Sequence, residues 1–541
     1  MNDKAAHQSP AMRWITPIAL FLGALLLIGA TAKDYGVTWD EPPYFHASDL
    51  HLKWIGEIGE NLVSGKLSKS LDDQNIKAAW HWNPYNVPHP PFSRIVSGIA
   101  KEFSSRFLDE FSAYRMGPAL FFALLVVVMY LWINELFGPA AGLFSALALV
   151  LMPNLFGYAH IAVTDLPLAT MWFLTAYCFW KGLGNWRWSL VLGIVWGLAL
   201  STKFPAVLIP IPLIFWAHLF HRDKYVNNVF AMLFLAPIVM VAMQPYLWHQ
   251  TGLRVLEFLY EGISRGYRLD ANFGVFFFNQ ILSSNQLPWY YPFFIVGVTT
   301  PEFLVALAIL GLLSVAWLQA QRSALLLFFA NAAFVLIIGI LPGAVLHDGV
   351  RQLLSALPFL CALAGAGLFI LATGLLRVAL RSVRLERVAN LKAKVVGALF
   401  LLVCFNPALD LYLAHPFQLS YYNRLVGGIR GAYERGLEIT HFLEAFTPGF
   451  LNSLNEKLPA NAVMNASFAN FMFAYYQKHG HLRSDIKISE TGPVNYYVLL
   501  NRRSVLTAPE RRLMNGSTQT VLSVNLAGVS LVRVFEFKQP Q

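Results

Sequence analysis

The side chains in this sequence that could do chemistry are few and occur in short clusters. Asp40 and Glu41 stand together in Thr38-Trp39-Asp40-Glu41-Pro42-Pro43-Tyr44. Partial desolvation near a lipid–water boundary strengthens a carboxylate as a base. The same residues also suit a helix start, because an Asp followed by prolines is a good N-cap. Both readings can hold, since a cap would fix the carboxylate in place. His89 lies in Trp82-Asn83-Pro84-Tyr85-Asn86-Val87-Pro88-His89-Pro90-Pro91. That density of proline predicts a rigid, extended turn able to hold a histidine against a phosphate, or else a simple loop breaker. Asp165, in Val163-Thr164-Asp165-Leu166-Pro167, is either a second carboxylate or a helix cap. Lys203, in Ser201-Thr202-Lys203-Phe204-Pro205, either serves a site or snorkels to lipid phosphates. Arg351 closes His347-Asp348-Gly349-Val350-Arg351 and puts a fixed positive charge at the start of an apolar run. Charges at a membrane edge are costly and are candidates for function. Together they suit a reaction with a lipid-anchored anionic leaving group. A carboxylate would activate a hydroxyl, and the cations would stabilise the departing phosphate. Trp39, Trp82, Trp289, Tyr290 and Tyr291 could stack on a sugar, or simply form the interfacial aromatic belt.

The elements that must position these residues are membrane helices. Of the 541 residues 56% are hydrophobic and only 13% charged, about half the charged share of soluble proteins. Mean hydropathy is +0.51. These values exclude a string of soluble domains and predict an α-helical polytopic membrane protein. Apolar runs near the roughly 20 residues a crossing needs predict about eleven spans: 14–32, 116–134, 139–157, 165–182, 188–202, 203–219, 226–246, 299–318, 323–341, 352–376 and 395–414. Two long polar loops are expected, 33–115 and 247–298, within a membrane domain 1–414. The tail 415–541 reads as a small soluble α/β domain ending in the strand-like run Val529–Phe537. Cys178, Cys361 and Cys404 all lie in apolar runs, so no disulfide framework or cysteine metal motif is expected. Arg13, the apolar core after it and Ala30-Thr31-Ala32 resemble a cleaved signal peptide. The run is longer than a usual signal core, and its removal would spoil the odd number of spans.

The net charge of +10 is explained by topology. An N-terminus inside places Lys4, Arg13, Lys181, Arg187, Arg222, Lys224 and Arg322 on the cytoplasmic side. The cluster Arg377, Arg381, Arg384, Arg387, Lys392 and Lys394 falls there too. Both long loops, the tail and every candidate site residue then fall on the outer face. Nucleic-acid binding is not expected.

TWDEPPYF (38–45) and NVPHPPFSRI (86–95) carry a family resemblance. It continues through AHIAVTDLPLATMWFL (159–174), LALSTKFPAVLIP (198–210), LPWYYPFFIVGVTTP (287–301), HDGVRQLLSALPFL (347–360) and HPFQLSYYNRLVGGIRGAYERG (415–436). The chain resembles the GT-C glycosyltransferases, specifically bacterial relatives of dolichyl-phosphate-mannose–protein mannosyltransferases and of the lipid A aminoarabinose transferase. The resemblance implies a multi-span bundle with amphipathic helices in the first outer loop. It implies a polyprenyl-phosphate-linked sugar donor and inverting transfer to an acceptor hydroxyl at the periplasmic face of a bacterial inner membrane. Asp40 matches the family's catalytic aspartate as general base, with Glu41 as its positioning neighbour and Asp165 as the second acid. His89 occupies the position near the donor phosphate. Lys203 and Arg351 are expected to supply the remaining positive charge, and Tyr421 and Asn423, just past the last span, to touch the acceptor. The alternative for that junction is a rigid, glycine-permitted turn. Some relatives place a metal-binding acid directly before the residue His89 matches. Here it is Pro88, so that metal site is not expected. A divalent metal held through His249 or His347 stays open, since spacing gives no ligand pattern.

Two other function classes fit the hydrophobicity. A secondary transporter or lipid-linked-sugar flippase predicts charged or broken-helix sites near the midplane and often internal repeats. The polar residues here fall at the outer ends of the spans and no repeat shows, which favours the enzyme. A non-catalytic scaffold with a sensing tail would leave Asp40 dispensable.

Overall fold

A computed structural model of the chain describes residues 10–80, 90–267, 273–380 and 388–537. Helices occupy the expected apolar runs. Among the described residues, five are long and apolar enough to cross a membrane, or six if one bent pair counts as a single span. The bent pair corrects the expected span 299–318. The apolar segment begins earlier, at Tyr291, and breaks into Tyr291–Thr299 and Glu302–Ala316, which meet at 119°. Pro301 sits at the break, where its missing N–H and its restriction of Thr300 end one helix before the next begins. The chain is a multi-pass membrane protein.

Close packing in the bundle depends on small residues. The helices Glu302–Leu313 and Leu357–Leu380 approach through reciprocal glycines. A Cβ on Gly311 would lie 1.9 Å from the Leu363 carbonyl oxygen, and one on Gly367 would lie 2.0 Å from that of Leu307. Contact this close gives dispersion attraction where lipid removes any hydrophobic drive between helices. Where Glu110–Phe137 hands over to Pro139–Val150, Gly138 takes φ +89° and Pro139 opens the second helix. Only glycine adopts that φ without strain.

The first long loop carries the helices Glu41–Val63, Leu67–Ser70, Asp73–Trp80 and Phe92–Ser104. The second carries the helix Thr251–Ser264 and an antiparallel hairpin, β1 (Gly274–Phe277) with β2 (Gln280–Ser283). The tail builds a five-stranded sheet ordered β4-β3-β5-β7-β6, from β3 (Val463–Asn465), β4 (Lys487–Ile488), β5 (Tyr496–Leu500), β6 (Thr520–Leu526) and β7 (Val529–Glu536). Its β3 pairs are parallel, and β7 is antiparallel to both its neighbours. The helices Pro448–Lys457, Asn470–Lys478 and Ala508–Asn515 complete the α/β unit, the last closed by a Thr507/Glu510 capping box. This unit does not stand apart from the bundle. Its apolar core is continuous with that of the helices, and Tyr476 accepts the Val37 N–H on its hydroxyl at 2.7 Å. The tail thus clamps the turn that follows the first helix.

Candidate functional site

That turn, 32–41, is held from below by Arg115. Arg115 lies in the first turns of Glu110–Phe137 and is fully buried. Its guanidinium donates to both oxygens of Glu41, Nε to Oε1 and Nη2 to Oε2, each at 2.9 Å. It also donates to the carbonyls of Ala32, Tyr35 and Gly36 at 2.8–3.1 Å. Glu41 takes three more donors, the Thr38 N–H at 2.8 Å, the Thr38 hydroxyl at 3.2 Å and the Ala162 N–H at 3.1 Å. Its carboxylate is therefore saturated and closed to any substrate, and its geometry is that of a positioning residue. Asp40 is the residue before the helix, but its side chain makes no capping bond.

Freed from that duty, the Asp40 carboxylate points to Arg351. Arg351 opens the short helical turn Arg351–Ala356 that leads into Leu357–Leu380. Its Nη2 donates to Asp40 Oδ2, its Nε to Asp165 Oδ2 at 3.3 Å, and its Nη1 to Asp348 Oδ2 at 3.0 Å. One guanidinium thus joins three carboxylates, with the Phe442 ring 4.2 Å from its centre. Lys203 completes the cluster through Asp165 Oδ1 at 2.7 Å and reaches Gln352 Oε1 at 3.4 Å. The snorkelling alternative for Lys203 is thereby corrected: the chain ends one helix at Leu200 and turns Lys203 inward and buried. The cap alternative for Asp165 is corrected too. Thr164 is the cap position, and Asp165 spends its carboxylate on the two cations.

The cluster has an open edge at one place. The Asp40 side chain keeps 30% of its surface exposed, whereas those of Asp165 and Asp348 keep 1% and none. Asp348 sits at φ +58°, followed by Gly349 at +64°. This left-handed pair folds the loop so that residues 348 and 351 face the same point, and aspartate is among the few residues that tolerate it. Burial alone would raise the Asp348 carboxyl. His347 (Nδ1 at 2.6 Å), Arg502 and Arg351 outweigh it and hold that carboxyl well below the usual carboxylate range.

Arg502 is the component that sequence reasoning missed. It comes from the tail, donates through Nη2 to Asp348 Oδ1 at 3.0 Å and through Nη1 to the His441 carbonyl, and stacks 4.1 Å from the Trp39 ring centre. The tail, read from sequence as a small soluble α/β domain, thus contributes a cation to the cluster. Asp348 was visible in the sequence only as the neighbour of Arg351. Asp40, Asp165 and Asp348 stand against Lys203, Arg351 and Arg502, three charges of each sign, so the cluster is near neutral. Burial pushes the nearby His441 imidazole down to about 4, with Asp348 opposing and Arg502 assisting. His441 is neutral at physiological pH.

The remaining expected residues divide. Trp39 is at the cluster through Arg502. Tyr291 is buried against a cavity of about 20 Å³ that also touches Asp348, Gly349, His441 and Arg502. Tyr290, Tyr421 and Asn423, expected to line the substrate, have their partners outside the charged cluster. Tyr290 packs on Phe277 and Trp289. Tyr421 donates to Asp410 at 3.0 Å. Asn423 donates to the carbonyls of Gly297 and Thr300 at 2.7 Å, making the junction a rigid latch on the bent helix pair. His89 and Trp82 lie outside the described residues. The described chain resumes at Pro90, and the Phe92 N–H donates to the Ser201 carbonyl at 2.8 Å, two residues before Lys203. Among the described residues no three His, Cys, Asp or Glu side chains are arranged to hold a metal ion. His249 bonds the Leu71 carbonyl, and His347 bonds Asp348.

Residues 89–249 match the family model described as dolichyl-phosphate-mannose-protein mannosyltransferase. None of the curated proteins matches the chain by sequence. Among solved structures, the chain is similar to ArnT from Cupriavidus metallidurans in its apo state. Identity is 16%, coverage 97% of this chain and 98% of that one, and the TM-score 0.50. The same protein bound to undecaprenyl phosphate matches at 15% identity and the same coverage, with a TM-score of 0.49. The apo oligosaccharyltransferase of Archaeoglobus fulgidus matches at 11% identity and a TM-score of 0.51, over 90% of this chain and 65% of that one. The fold is the GT-C glycosyltransferase fold, with a small C-terminal sheet domain.

Proposed function

We propose that the chain is an inverting glycosyltransferase that moves a sugar from a polyprenyl-phosphate carrier to an acceptor hydroxyl. The membrane is a bacterial inner membrane, with the N-terminus cytoplasmic and both the site and the tail periplasmic. One observation carries the reading. Asp40, Asp165, Lys203 and Arg351, from four separate parts of the chain, meet in one buried cluster that opens to solvent at Asp40. A transporter would place such charges near the midplane, whereas these stand where helices begin and end.

In this reaction Asp40 is the general base. The acceptor oxygen attacks the anomeric carbon of the sugar. The bond from that carbon to the phosphate oxygen breaks, and its electron pair stays with the lipid phosphate. The acceptor proton passes to Asp40. One displacement at the anomeric carbon inverts its configuration. The leaving phosphate goes from one negative charge to two as Asp40 loses its own, so the cluster turns from neutral to positive when the leaving group needs it. Arg351 and Lys203 then face the developing charge, already oriented by Asp165 and Asp348, so little reorganisation is required at the moment of reaction. His89 joins them at the donor phosphate by resemblance. Glu41 positions Asp40 without touching substrate.

The test has two parts. The purified chain in lipid nanodiscs, given polyprenyl-phosphate-linked sugars and a mixture of outer-membrane and cell-wall glycans, should release free polyprenyl phosphate only when both are present. In intact cells, a cysteine-free chain carrying Asn515→Cys should react with an impermeant thiol reagent, and one carrying Arg187→Cys should not. The reversed labelling pattern would put the site on the wrong side and sink the reading.

A further inference from the structure

One residue beyond Arg502 the chain lines a second cavity, which shares nothing with the charged cluster. It has a volume of about 120 Å³ and lies between the β1–β2 hairpin and the helix Ala508–Asn515. Phe276 and Asn279 face it from the hairpin, and Asn501, Arg503, Arg511 and Asn515 from the tail. Size separates it from the cavity beside Asp348. That one, at about 20 Å³, has room for no more than a single water, which needs roughly 10–15 Å³. The orphaned Arg502 Nε and Ser504 Oγ supply such a water with partners. The larger cavity has room for a ring.

Its lining is mixed in a specific way. Asn501 is 1% exposed. Its amide nitrogen donates to the Ser530 carbonyl at 2.8 Å, which fixes the amide plane, and its Oδ1 has no partner among the described residues. A buried acceptor in that state calls for a hydroxyl or N–H from a ligand. Arg503 is held rigid, donating to the Tyr433 carbonyl at 2.9 Å with its guanidinium 3.6 Å from the Tyr433 ring centre and 5.3 Å from that of Phe276. Asn515 accepts the Tyr433 hydroxyl on Oδ1 at 2.7 Å, which leaves its amide N–H groups to donate. The Arg511 guanidinium makes no hydrogen bond or ion pair among the described residues. No carboxylate lines the cavity. Glu510, next to Arg511 in sequence, is engaged by Ser467, Thr507 and Tyr497. The cavity thus offers an apolar ring face, a hydroxyl-seeking acceptor, amide donors and two guanidiniums without counter-charge.

We propose that this cavity is a subsite for a saccharide bearing an anionic group, a phosphate or a carboxylate. Phe276 supports the ring, Asn501 accepts a hydroxyl, and Arg503 and Arg511 hold the anion. The assignment deepens the glycosyltransferase reading by giving the tail a grip on an acidic acceptor glycan, and it rests on that reading for the word acceptor. Binding can be read without it. The full-length chain in nanodiscs, with no donor present, is titrated calorimetrically with glucose 6-phosphate, glucose and inorganic phosphate. Saturable binding of glucose 6-phosphate is expected, at least tenfold tighter than either of the others. Arg511→Ala should weaken it at least tenfold. Arg512→Ala, which removes the same charge from the exposed neighbouring position, should leave it unchanged. Equal binding by the Arg511→Ala chain, or no binding by the parent, would overturn the subsite. Inorganic phosphate binding as tightly as the sugar phosphate would overturn its saccharide part. Since no transfer is measured, a chain that fails to transfer sugar can still pass, and the two readings fail separately.

Discussion

Asp40 and Glu41 are neighbours in sequence, and each is paired with an arginine, yet they sit in opposite surroundings. Glu41 and Arg115 form a closed unit, both buried, with every oxygen of the acid and most of the guanidinium occupied by fixed partners. Asp40 shares its arginine with two other acids and keeps one side open. An ion pair with all its partners inside the fold can only hold the fold. A pair whose arginine is divided among three acids, with solvent at one of them, can exchange a partner for a substrate. Residue type and adjacency do not distinguish the two carboxylates. Saturation does.

The largest effect that would break the contrast is at Glu41. Glu41→Gln leaves the Arg115 charge buried without its counter-ion and should cost about 3–5 kcal/mol, read as a large fall in unfolding temperature of the detergent-solubilised chain. A variant of unchanged stability would show that the unit is not closed. Next is the coupling of the tail to the site. Arg502→Met removes the bond to Asp348 and the stack on Trp39, and should lower the transfer rate about 10- to 100-fold by letting the cluster shift. Transfer at the parent rate would make the tail's contact incidental. The smallest effect is one of pH. His441 has its folded value depressed to about 4, so the unfolded chain binds the extra proton between about pH 6.5 and 4, and stability falls as pH drops through that window. The loss from this group should reach about 2 kcal/mol by pH 5. It should vanish in His441→Gln, compared by denaturation at pH 8 and pH 5.

How far the sequence reaches follows the same division. Apolar periodicity and run length place the helices, because a bilayer tolerates little else. Asp40, Asp165, Lys203 and Arg351 were legible because a charge at the end of an apolar run is costly and therefore conspicuous. Arg115 was hidden because it stands one residue outside the expected span 116–134 and looks like the close of a polar loop. Its depth would have been the signal. Arg502 left no local trace, since only the pairing of β5 with β7 and the docking of the tail bring it to Trp39. The break at Pro301 was the kind of local signal that could have been read, and the apolar run on both sides concealed it. The partners of Tyr421 and Asn423 were not legible, because aromatic and amide side chains near a membrane surface serve as latches as readily as they line a site.

The most direct test is the initial rate of sugar transfer by Asp40→Asn, on protein whose unfolding temperature matches the parent. The change keeps the shape of the side chain and removes its basicity. A general base contributes roughly 10²- to 10⁴-fold, so a rate loss in that range, with stability unchanged, is expected. Transfer at the parent rate by a fully folded Asp40→Asn chain would contradict the assignment of the base and with it the mechanism.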